Sequence, residues 1–295
     1  MKPNASQKQA LTNNPDQAPT SLLNEVKGLV TPHSESPTLD SLELLSHVTG
    51  LDRAKILAHP DPVLDPEQVK DLDRALKQIQ KGTPLPYVLG KWEFFNHSFQ
   101  ISSDVLIPRP ETEGLVELAL DWLDDHPERR SSLELGTGCG CIAVSLAKAL
   151  PDLKIRATDI SPKALEIARG NARQHGVEDQ IEFLECDLLN GVQGKVDLLI
   201  ANLPYIPTRK LRTLKVFQTE PILALDGGED GLYYIKQVLQ NAGEYLQPGG
   251  AVFLEIDEDT GAAALQLAHD VWPGLPIQLD QDLAGQDRYL SIQCP

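Results

Sequence analysis

The residues best suited to chemistry form the tetrapeptide Asn202–Tyr205 (Asn-Leu-Pro-Tyr), which follows the apolar run Val196–Ala201. A planar amide or aromatic amine is a weak nucleophile because its lone pair is delocalised. It needs acceptors that hold its hydrogens and offset the positive charge that grows during its attack. The Asn202 side-chain oxygen and a backbone carbonyl of the same turn can supply two acceptors, Pro204 stiffens the turn, and Tyr205 offers a flat wall. The alternative is an ordinary turn at the end of a strand.

A glycine-rich turn stands earlier in the chain, at Gly136–Gly140 (Gly-Thr-Gly-Cys-Gly), between a predicted strand and a predicted helix. Glycines there let the backbone turn tightly and approach a ligand, with helix N–H groups pointing at it. The dinucleotide fingerprint requires a glycine where this chain has Cys141. The Gly-x-Gly-x-Gly spelling instead resembles the first motif of class I methyltransferases. On this loop alone, a nicotinamide site remains the alternative.

Two aspartates follow the next two predicted strands. Asp159 stands where an acidic side chain can accept both hydroxyls of an adenosine ribose; alternatively, it caps the helix that begins near Ser161. Asp187 could accept from the adenine amino group while Leu188 packs on the ring. The alternative for Asp187 is a turn residue.

These side chains need a scaffold that brings strand ends together. From about Ser131 onward, strands and helices alternate, which predicts a parallel sheet wrapped by helices. Such a sheet binds ligands outside the carboxyl ends of its strands, so the four segments should face one site. The predicted strands are Ser132–Leu135, Lys154–Thr158, Ile181–Glu185, Val196–Ala201 and Ala251–Glu255, with weaker ones near Ile277 and Tyr289. The predicted helices run from the glycine turn through Leu150, from Ser161 to about His175, and from about Gly231 to Tyr245, with one more near the end.

The sequence before the alternating strands and helices indicates three further segments: a tail, a helical bundle and a hairpin. Residues 1–20 are polar and predict a disordered tail. Residues 21–86 predict a bundle of short helices, because apolar residues recur at helical spacing from Leu22 and from Leu39, and because Asp65 and Pro66 mark a helix start. Residues 87–108 predict a β-hairpin turning at Asn96-His97, followed by the catalytic domain at 109–295.

Composition excludes some functions. The net charge of −17 opposes broad binding to phosphate backbones, so no direct nucleic-acid binding is expected. The 4 cysteines form no CxxC pair, and we expect no metal site. No stretch approaches membrane-spanning length, and no basic leader precedes an apolar segment; we expect a cytoplasmic protein.

Several motifs together resemble one family. Asn202–Tyr205 is similar to the Asn-Pro-Pro-Tyr motif of amide and adenine N-methyltransferases. The stretches 105–113 (Val-Leu-Ile-Pro-Arg-Pro-Glu-Thr-Glu) and 220–231, the latter containing Ala-Leu-Asp-Gly-Gly-Glu-Asp-Gly, resemble signatures of the release factor glutamine methyltransferases (HemK/PrmC family). So do Pro86–Gly90 and Asp282–Gly285. The resemblance covers about residues 40 to 293.

The resemblance implies a class I S-adenosylmethionine-dependent methyltransferase: a Rossmann-like, seven-stranded sheet with an N-terminal helical domain joined by a β-hairpin. The implied reaction methylates the side-chain amide nitrogen (N5) of glutamine in the Gly-Gly-Gln motif of peptide chain release factors. The helical domain would dock that protein substrate, and we expect a monomer. Implied cofactor contacts are Gly136, Thr137, Gly138, Cys139, Gly140, Asp159, Asp187, Leu188 and Asn202. Catalytic roles fall on Asn202, Pro204 and Tyr205, and substrate contacts on Asn202, Leu203, Pro204 and Tyr205.

Two departures and two rival functions remain. Leu203 replaces the first proline, a spelling shared with ribosomal RNA adenine dimethyltransferases, and Thr219 stands where an aromatic is common. An adenine N6-methyltransferase acting on RNA or DNA is therefore one rival, and a cofactor-binding protein without catalysis is another. The run Arg109–Glu113 predicts either an interdomain ion-pair network or a contact with bound ligand.

Overall fold

The computed structural model describes residues 21–294, so the predicted tail at residues 1–20 lies outside the described residues. The chain divides into two compact units, the first ending at Leu89 and the second beginning at Gly90.

The first unit is helical, as predicted. Three of its helices coincide with the three predicted apolar stripes, whereas two short ones, α3 and α5, were not predicted. The helices of its described part are α1 (Leu22–Val30), α2 (Pro37–Thr49), α3 (Arg53–Ala58), α4 (Pro66–Gln80) and α5 (Leu85–Leu89).

The start of α4 is fixed by the residues that predicted it. The Asp65 side chain accepts from the backbone N–H groups of Glu67 and Gln68, and the Gln68 side chain accepts from the Asp65 N–H in return. Pro66 occupies the first turn, where a missing N–H costs nothing. The cap at Asp65 and the proline at the first position confirm the predicted start of this helix.

The second unit opens with a hairpin of β1 (Lys91–Phe94) and β2 (His97–Gln100). Its turn lies at Phe95-Asn96, one residue earlier than predicted, and His97 pairs with Phe94. Both turn residues have positive φ, 48° and 58°, as a two-residue hairpin turn requires. Residues 87–89, which the sequence placed in the hairpin segment, are helical and belong to α5.

A seven-stranded sheet forms the centre of the second unit within the described residues. Its order is β5-β4-β3-β6-β7-β9-β8, parallel except for β9, which runs antiparallel to both neighbours. Its strands are β3 (Ser131–Leu135), β4 (Lys154–Asp159), β5 (Ile181–Glu185), β6 (Val196–Ala201), β7 (Leu246–Glu255), β8 (Ile277–Gln281) and β9 (Asp287–Gln293). The helices of this unit are α6 (Glu111–Asp125), α7 (Cys141–Ala149), α8 (Pro162–His175), α9 (Thr208–Leu211), α10 (Tyr233–Asn241) and α11 (Gly261–Val271).

Helix α6 was missed by the sequence prediction. It buries Leu115, Ala119 and Trp122 on one face, at the spacing that indicates a helix. Because α6 begins directly after Pro110, its first turn carries Glu111 and Thr112.

Strand register brings the ends of four strands to the same level. The parallel pairs that close the ladders are Leu135 with Thr158, Leu135 with Ala201, and Ala201 with Leu254. The residues that come next, Gly136, Asp159, Asn202 and Glu255, therefore stand side by side at the carboxyl edge. This edge is where open parallel sheets bind their ligands.

Candidate active site

A cavity of about 290 Å³ opens at the carboxyl edge of the sheet. Most of the residues predicted to contact the cofactor or substrate line it, and they come from the ends of four strands. Those lining residues are Gly136, Gly138, Asp159, Asp187, Leu188, Asn202, Leu203 and Pro204. Four predicted residues do not line this cavity: Thr137, Cys139, Gly140 and Tyr205.

The glycine turn has a conformation that only glycine adopts easily. Gly136, Gly138 and Gly140 have φ values of 70°, 56° and 82°. A Cβ on Gly138 would meet no atom within 4 Å, so this residue leaves open space toward the cavity. A Cβ on Gly140 would come within 3.1 Å of the Ala168 Cβ. Gly140 therefore allows close packing on α8.

The glycine turn is anchored from below by a residue that the sequence did not single out. Glu134 is buried at the end of β3, and its Oε2 accepts from the Thr137 hydroxyl at 2.7 Å and the Ala143 N–H at 3.1 Å. Burial raises the pKa of this carboxyl to about 8, against the lowering effect of both hydrogen bonds. Thr137 is thus held inward, which explains why it does not reach the cavity.

Asp159 connects the glycine turn to the start of α8. Its Oδ2 accepts from the Gly138 N–H at 2.8 Å and its Oδ1 from the Ser161 N–H at 2.9 Å. Burial raises its pKa, opposed by these backbone hydrogen bonds. The N-cap bond of α8 is made by Ser161 itself, whose Oγ accepts from the Ala164 N–H. The Asp159 carboxylate also lines the cavity, where it can accept from a ligand hydroxyl.

The wall beyond β5 is formed by Cys186, Asp187 and Leu188. Leu188 has a φ of 50°, which is uncommon for a branched side chain and marks a tight turn. The side chain of Asp187 is exposed where it lines the cavity. Apolar groups complete the cavity, among them Ile160 and Leu223, both about half exposed.

A hydrogen bond to Thr112 fixes the orientation of the Asn202 side-chain amide. Its Nδ2 donates to the Thr112 hydroxyl oxygen at 2.9 Å. The side-chain oxygen therefore remains as an acceptor. Asn202 also lines a second cavity of about 230 Å³, together with Leu203, Arg109 and Tyr205. The asparagine thus stands where the two cavities meet.

Tyr205 lies in the second cavity, and its hydroxyl donates to Glu255 Oε1 at 3.1 Å. Glu255 is buried at the end of β7. Burial raises the Glu255 pKa to about 7, while the Thr112 and Tyr205 hydroxyls lower it. Burial likewise raises the pKa of Tyr205 well above its usual value, which keeps the phenol protonated.

The stretch 220–231 packs behind the Asn-Leu-Pro-Tyr turn. Ile206 donates its N–H to the Leu225 carbonyl at 3.1 Å, and Gly227 donates to the Ile206 carbonyl at 2.9 Å. A Cβ on Gly227 would come within 2.7 Å of the Tyr205 Cα. Only glycine allows this approach, so the Asp-Gly-Gly signature packs directly against the Asn-Leu-Pro-Tyr turn.

The run Arg109–Glu113 makes ion-pair and backbone contacts within the second unit. Arg109 pairs with buried Glu220 at 2.5 Å, and Glu220 also accepts from the Ile107 N–H at 3.1 Å. Glu113 accepts from the Phe95 N–H of the hairpin turn at 2.8 Å. Arg109 and Glu220 both belong to the second unit, so this pair is not the interdomain network that was one of the two alternatives. Arg109 also borders the second cavity.

Comparisons with known proteins show the family to which the chain belongs. Residues 21–90 match the family described as PrmC N-terminal domain, and residues 116–219 match Methyltransferase small domain. A release factor glutamine methyltransferase of Moorella thermoacetica is 41% identical, with 86% of this chain and 90% of the relative covered. A second release factor glutamine methyltransferase, of Thermosynechococcus vestitus, is 35% identical, with 90% of this chain and 94% of the relative covered. The chain belongs to the release factor glutamine methyltransferase family.

Fold similarity extends beyond this family. The hMettl16 catalytic domain, solved in complex with MAT2A 3'UTR hairpin 6, superposes with a TM-score of 0.54 at 15% identity, covering 78% of this chain and 82% of that one. At this identity the likeness concerns the fold alone.

Sequence analysis did not identify two residues that contact the predicted site residues, Thr112 and Glu255. Thr112 was not recognised because helix α6 was not predicted, although Leu115, Ala119 and Trp122 carry the helical spacing. Glu255 had a clearer signal, since it is the acidic residue that ends the apolar strand β7 at the ligand-binding edge.

Proposed function

We propose that this protein transfers a methyl group from S-adenosylmethionine to the side-chain amide nitrogen of the glutamine in the Gly-Gly-Gln motif of peptide chain release factors. Family membership supports the substrate class. The observation that carries the chemistry is Asn202, whose Nδ2 is engaged by Thr112 and whose oxygen is left to accept at the junction of two cavities.

The larger cavity fits S-adenosylmethionine by the chemistry of its lining. Asp159 keeps acceptor capacity for ribose hydroxyls, and Gly138 leaves the space in which a ligand can approach the backbone. Ile160 and Leu188 supply apolar surface for an adenine ring, beside Asp187 as an acceptor for its amino group. All nine predicted cofactor residues stay in this proposal, with Thr137, Cys139 and Gly140 acting through the shape of the turn.

When bound, S-adenosylmethionine supplies a methyl group on an already activated sulfonium centre. The chain contributes orientation and charge stabilisation. The Asn202 oxygen and a backbone carbonyl of its turn accept the two amide hydrogens of the substrate, which holds the nitrogen lone pair in line and offsets its growing positive charge. Pro204 stiffens that turn, while Leu203 and Tyr205 line the second cavity, which we assign to the glutamine side chain.

The proposal includes a monomeric, cytoplasmic enzyme that binds no nucleic acid and uses residues 21–86 to dock its protein substrate. The net charge of −17 opposes the rival adenine methyltransferase, which would need a basic surface. Across residues 21–294, every helix is too short or too polar to cross a bilayer.

Transfer of label tests the substrate. Purified protein with labelled cofactor is offered release factors, the same factors with the motif glutamine replaced, and ribosomal RNA. We expect label on the unaltered release factors only. Label on RNA, or on factors that lack the glutamine, would reject the assignment.

Calorimetry tests the cofactor site. Asp159→Ala should weaken S-adenosylmethionine binding by roughly tenfold or more, the equivalent of one charge-assisted hydrogen bond. Ser161→Ala, which removes the helix cap but keeps Asp159, is the control and should bind nearly as well as the wild type. Equal losses in both variants would mean that Asp159 acts only through the start of α8.

A further inference from the structure

A chain of buried polar groups runs from the catalytic turn into the protein. Asn202 Nδ2 donates to Thr112 Oγ1 at 2.9 Å, and Tyr205 donates to Glu255 Oε1 at 3.1 Å. Thr112 is 2% exposed and Glu255 is 1% exposed. The second carboxyl oxygen of Glu255, Oε2, is buried and has no hydrogen-bond partner among residues 21–294.

The Thr112 hydroxyl neighbours the Glu255 carboxyl group and lowers its pKa, against the effect of burial. A hydroxyl carries one hydrogen and two lone pairs. If its hydrogen points to the Glu255 carboxylate, its lone pairs face Asn202, and only the NH₂ end of the asparagine amide can bond to it. A buried carboxylate oxygen without another donor favours this arrangement, because leaving it unpaired is costly.

We propose that Thr112 and Glu255 are positioning residues that keep the Asn202 amide from flipping, so that its oxygen and not its NH₂ group faces the substrate. This role rests on the proposed function and specifies how that site acquires its polarity. An asparagine amide is nearly symmetric in shape, so packing alone does not select one orientation. A flipped amide would present hydrogens to the substrate amide hydrogens and would remove an acceptor from the transition state.

Isosteric replacement tests the role of the hydroxyl. Thr112→Val keeps the volume and removes the hydrogen-bonding group; we expect kcat to fall by about 10- to 100-fold, as for other residues that orient a reactive group. The KM for release factor and the cofactor Kd should stay within about twofold. Thr112→Ser keeps the hydroxyl and should recover most of kcat.

A matched control separates this effect from general loss of a buried hydroxyl. Thr260 is also buried, and its Oγ1 donates to the Asp257 carbonyl at 2.9 Å, outside the chain of groups. Thr260→Val should leave kcat unchanged. The proposal fails if Thr112→Val keeps wild-type kcat, if Thr112→Ser is no better than Thr112→Val, or if Thr260→Val is equally slow.

Hydrogen exchange of the Asn202 amide, measured without substrate, tests the positioning role independently of the proposed function. In ¹⁵N-labelled wild-type protein, one Nδ2 hydrogen of Asn202, assigned by its loss in Asn202→Ala, should exchange slowly with solvent. That protection should disappear in Thr112→Val and, should this variant not fold, in Glu255→Gln. Rapid exchange in the wild type would overturn the positioning role even if release factor is methylated, whereas protection without methyl transfer would overturn only the proposed function.

Discussion

At the scale of single residues, the proposed chemistry depends on the polarity of the Asn202 side chain. The Asn202 Nδ2 donates a hydrogen bond to the Thr112 hydroxyl oxygen. The side-chain oxygen of Asn202 remains as an acceptor where the two cavities meet. The charge that develops on an attacking amide nitrogen needs such an acceptor in the transition state more than in the ground state.

Removing this acceptor should therefore slow the reaction without releasing the cofactor. We expect Asn202→Ala to lower turnover by roughly 10²–10³-fold, the loss typical of one preorganised polar group. Single-turnover rates and cofactor calorimetry measure the two effects. Asn241→Ala, an exposed asparagine that bonds only to its own helix, serves as the control. A single-turnover rate near that of the wild type would exclude Asn202 from catalysis.

The ionisation of Glu255 predicts a pH dependence of turnover. Burial raises its pKa to about 7. Below that pH the protonated carboxyl loses an acceptor for the Thr112 hydroxyl, so kcat should rise with pH and level off above about 7. The titratable or charged groups that face Glu255 are Glu111, Tyr205, Arg288 and Tyr289.

Glu255→Gln isolates this group, since the amide keeps the shape and does not titrate. The variant should be slower than the wild type at pH 8 and nearly independent of pH between 6 and 8.5. Single-turnover profiles of both proteins on the same release factor provide the measurement. An unaltered acidic limb in the variant would assign the titration elsewhere.

At the scale of elements, loops at the carboxyl edge hold each other in place. The loop around Gly227 leaves no room for a side chain, because a Cβ there would stand 2.7 Å from the Tyr205 Cα and 2.9 Å from the Pro204 carbonyl oxygen. The Asn-Leu-Pro-Tyr turn and the stretch 220–231 consequently behave as one structural piece.

Gly227→Ala should displace the catalytic turn and lower kcat by at least about tenfold, since small misplacements of reacting groups are costly. Cofactor affinity should change little. Gly243→Ala is the matched control, as a Cβ there would meet no atom within 4 Å. Equal activity of the two variants would show that the loop yields without affecting the turn.

The anchor of the glycine turn predicts a pH dependence of stability. Glu134 has a pKa of about 8 in the folded protein, above its ordinary value of 4.5. The folded state therefore holds this proton more tightly than the unfolded state does. Its stabilising contribution is complete below pH 4.5 and is lost as the pH rises through about 8.

Glu134→Gln preserves an acceptor for Thr137 and Ala143 but cannot lose a proton. As the pH rises from 5 to 8, the free energy of unfolding of this variant should increase relative to that of the wild type, by an amount on the order of a few kcal/mol. Urea unfolding at several pH values, without cofactor, measures the difference. A constant difference would mean that Glu134 is ionised in the folded protein throughout this range.

At the scale of the whole molecule, the acidic surface and the helical first unit bear on the choice of partner. A charge of −17 disfavours nucleic acid, which leaves a protein substrate as the better match. The first unit keeps several large apolar side chains in solvent, including Leu57 at 56% and Val63 at 97% exposure. We predict that these side chains belong to the surface that binds the protein substrate.

Docking by the first unit predicts an effect on KM alone. Leu57→Ser combined with Val63→Ser should raise the KM for intact release factor several-fold and leave kcat unchanged. Lys70→Ser, an exposed residue of the same unit, should change neither. Steady-state kinetics on intact factor provide the measurement, and an unchanged KM would remove these side chains from the docking surface.

The sequence by itself determined the parts whose signal is local. Helix α4 was placed by Asp65, by Pro66 and by its apolar spacing, the strands by their apolar runs, and the glycine turn by residues that need positive φ. Combined motifs also identified the family, because each of them is confined to a few adjacent residues.

Only the tertiary structure decided which distant residues meet. Strand register places Asn202 beside Glu255, 53 residues later in the chain. Helix α6 brings Thr112 to Asn202 across 90 residues. The tertiary structure also showed that Thr137 points inward to Glu134 and that Tyr205 lines the second cavity. Such pairings depend on strand order and helix placement, which satisfy the hydrogen bonds of the whole unit at once and leave no periodic trace in the chain.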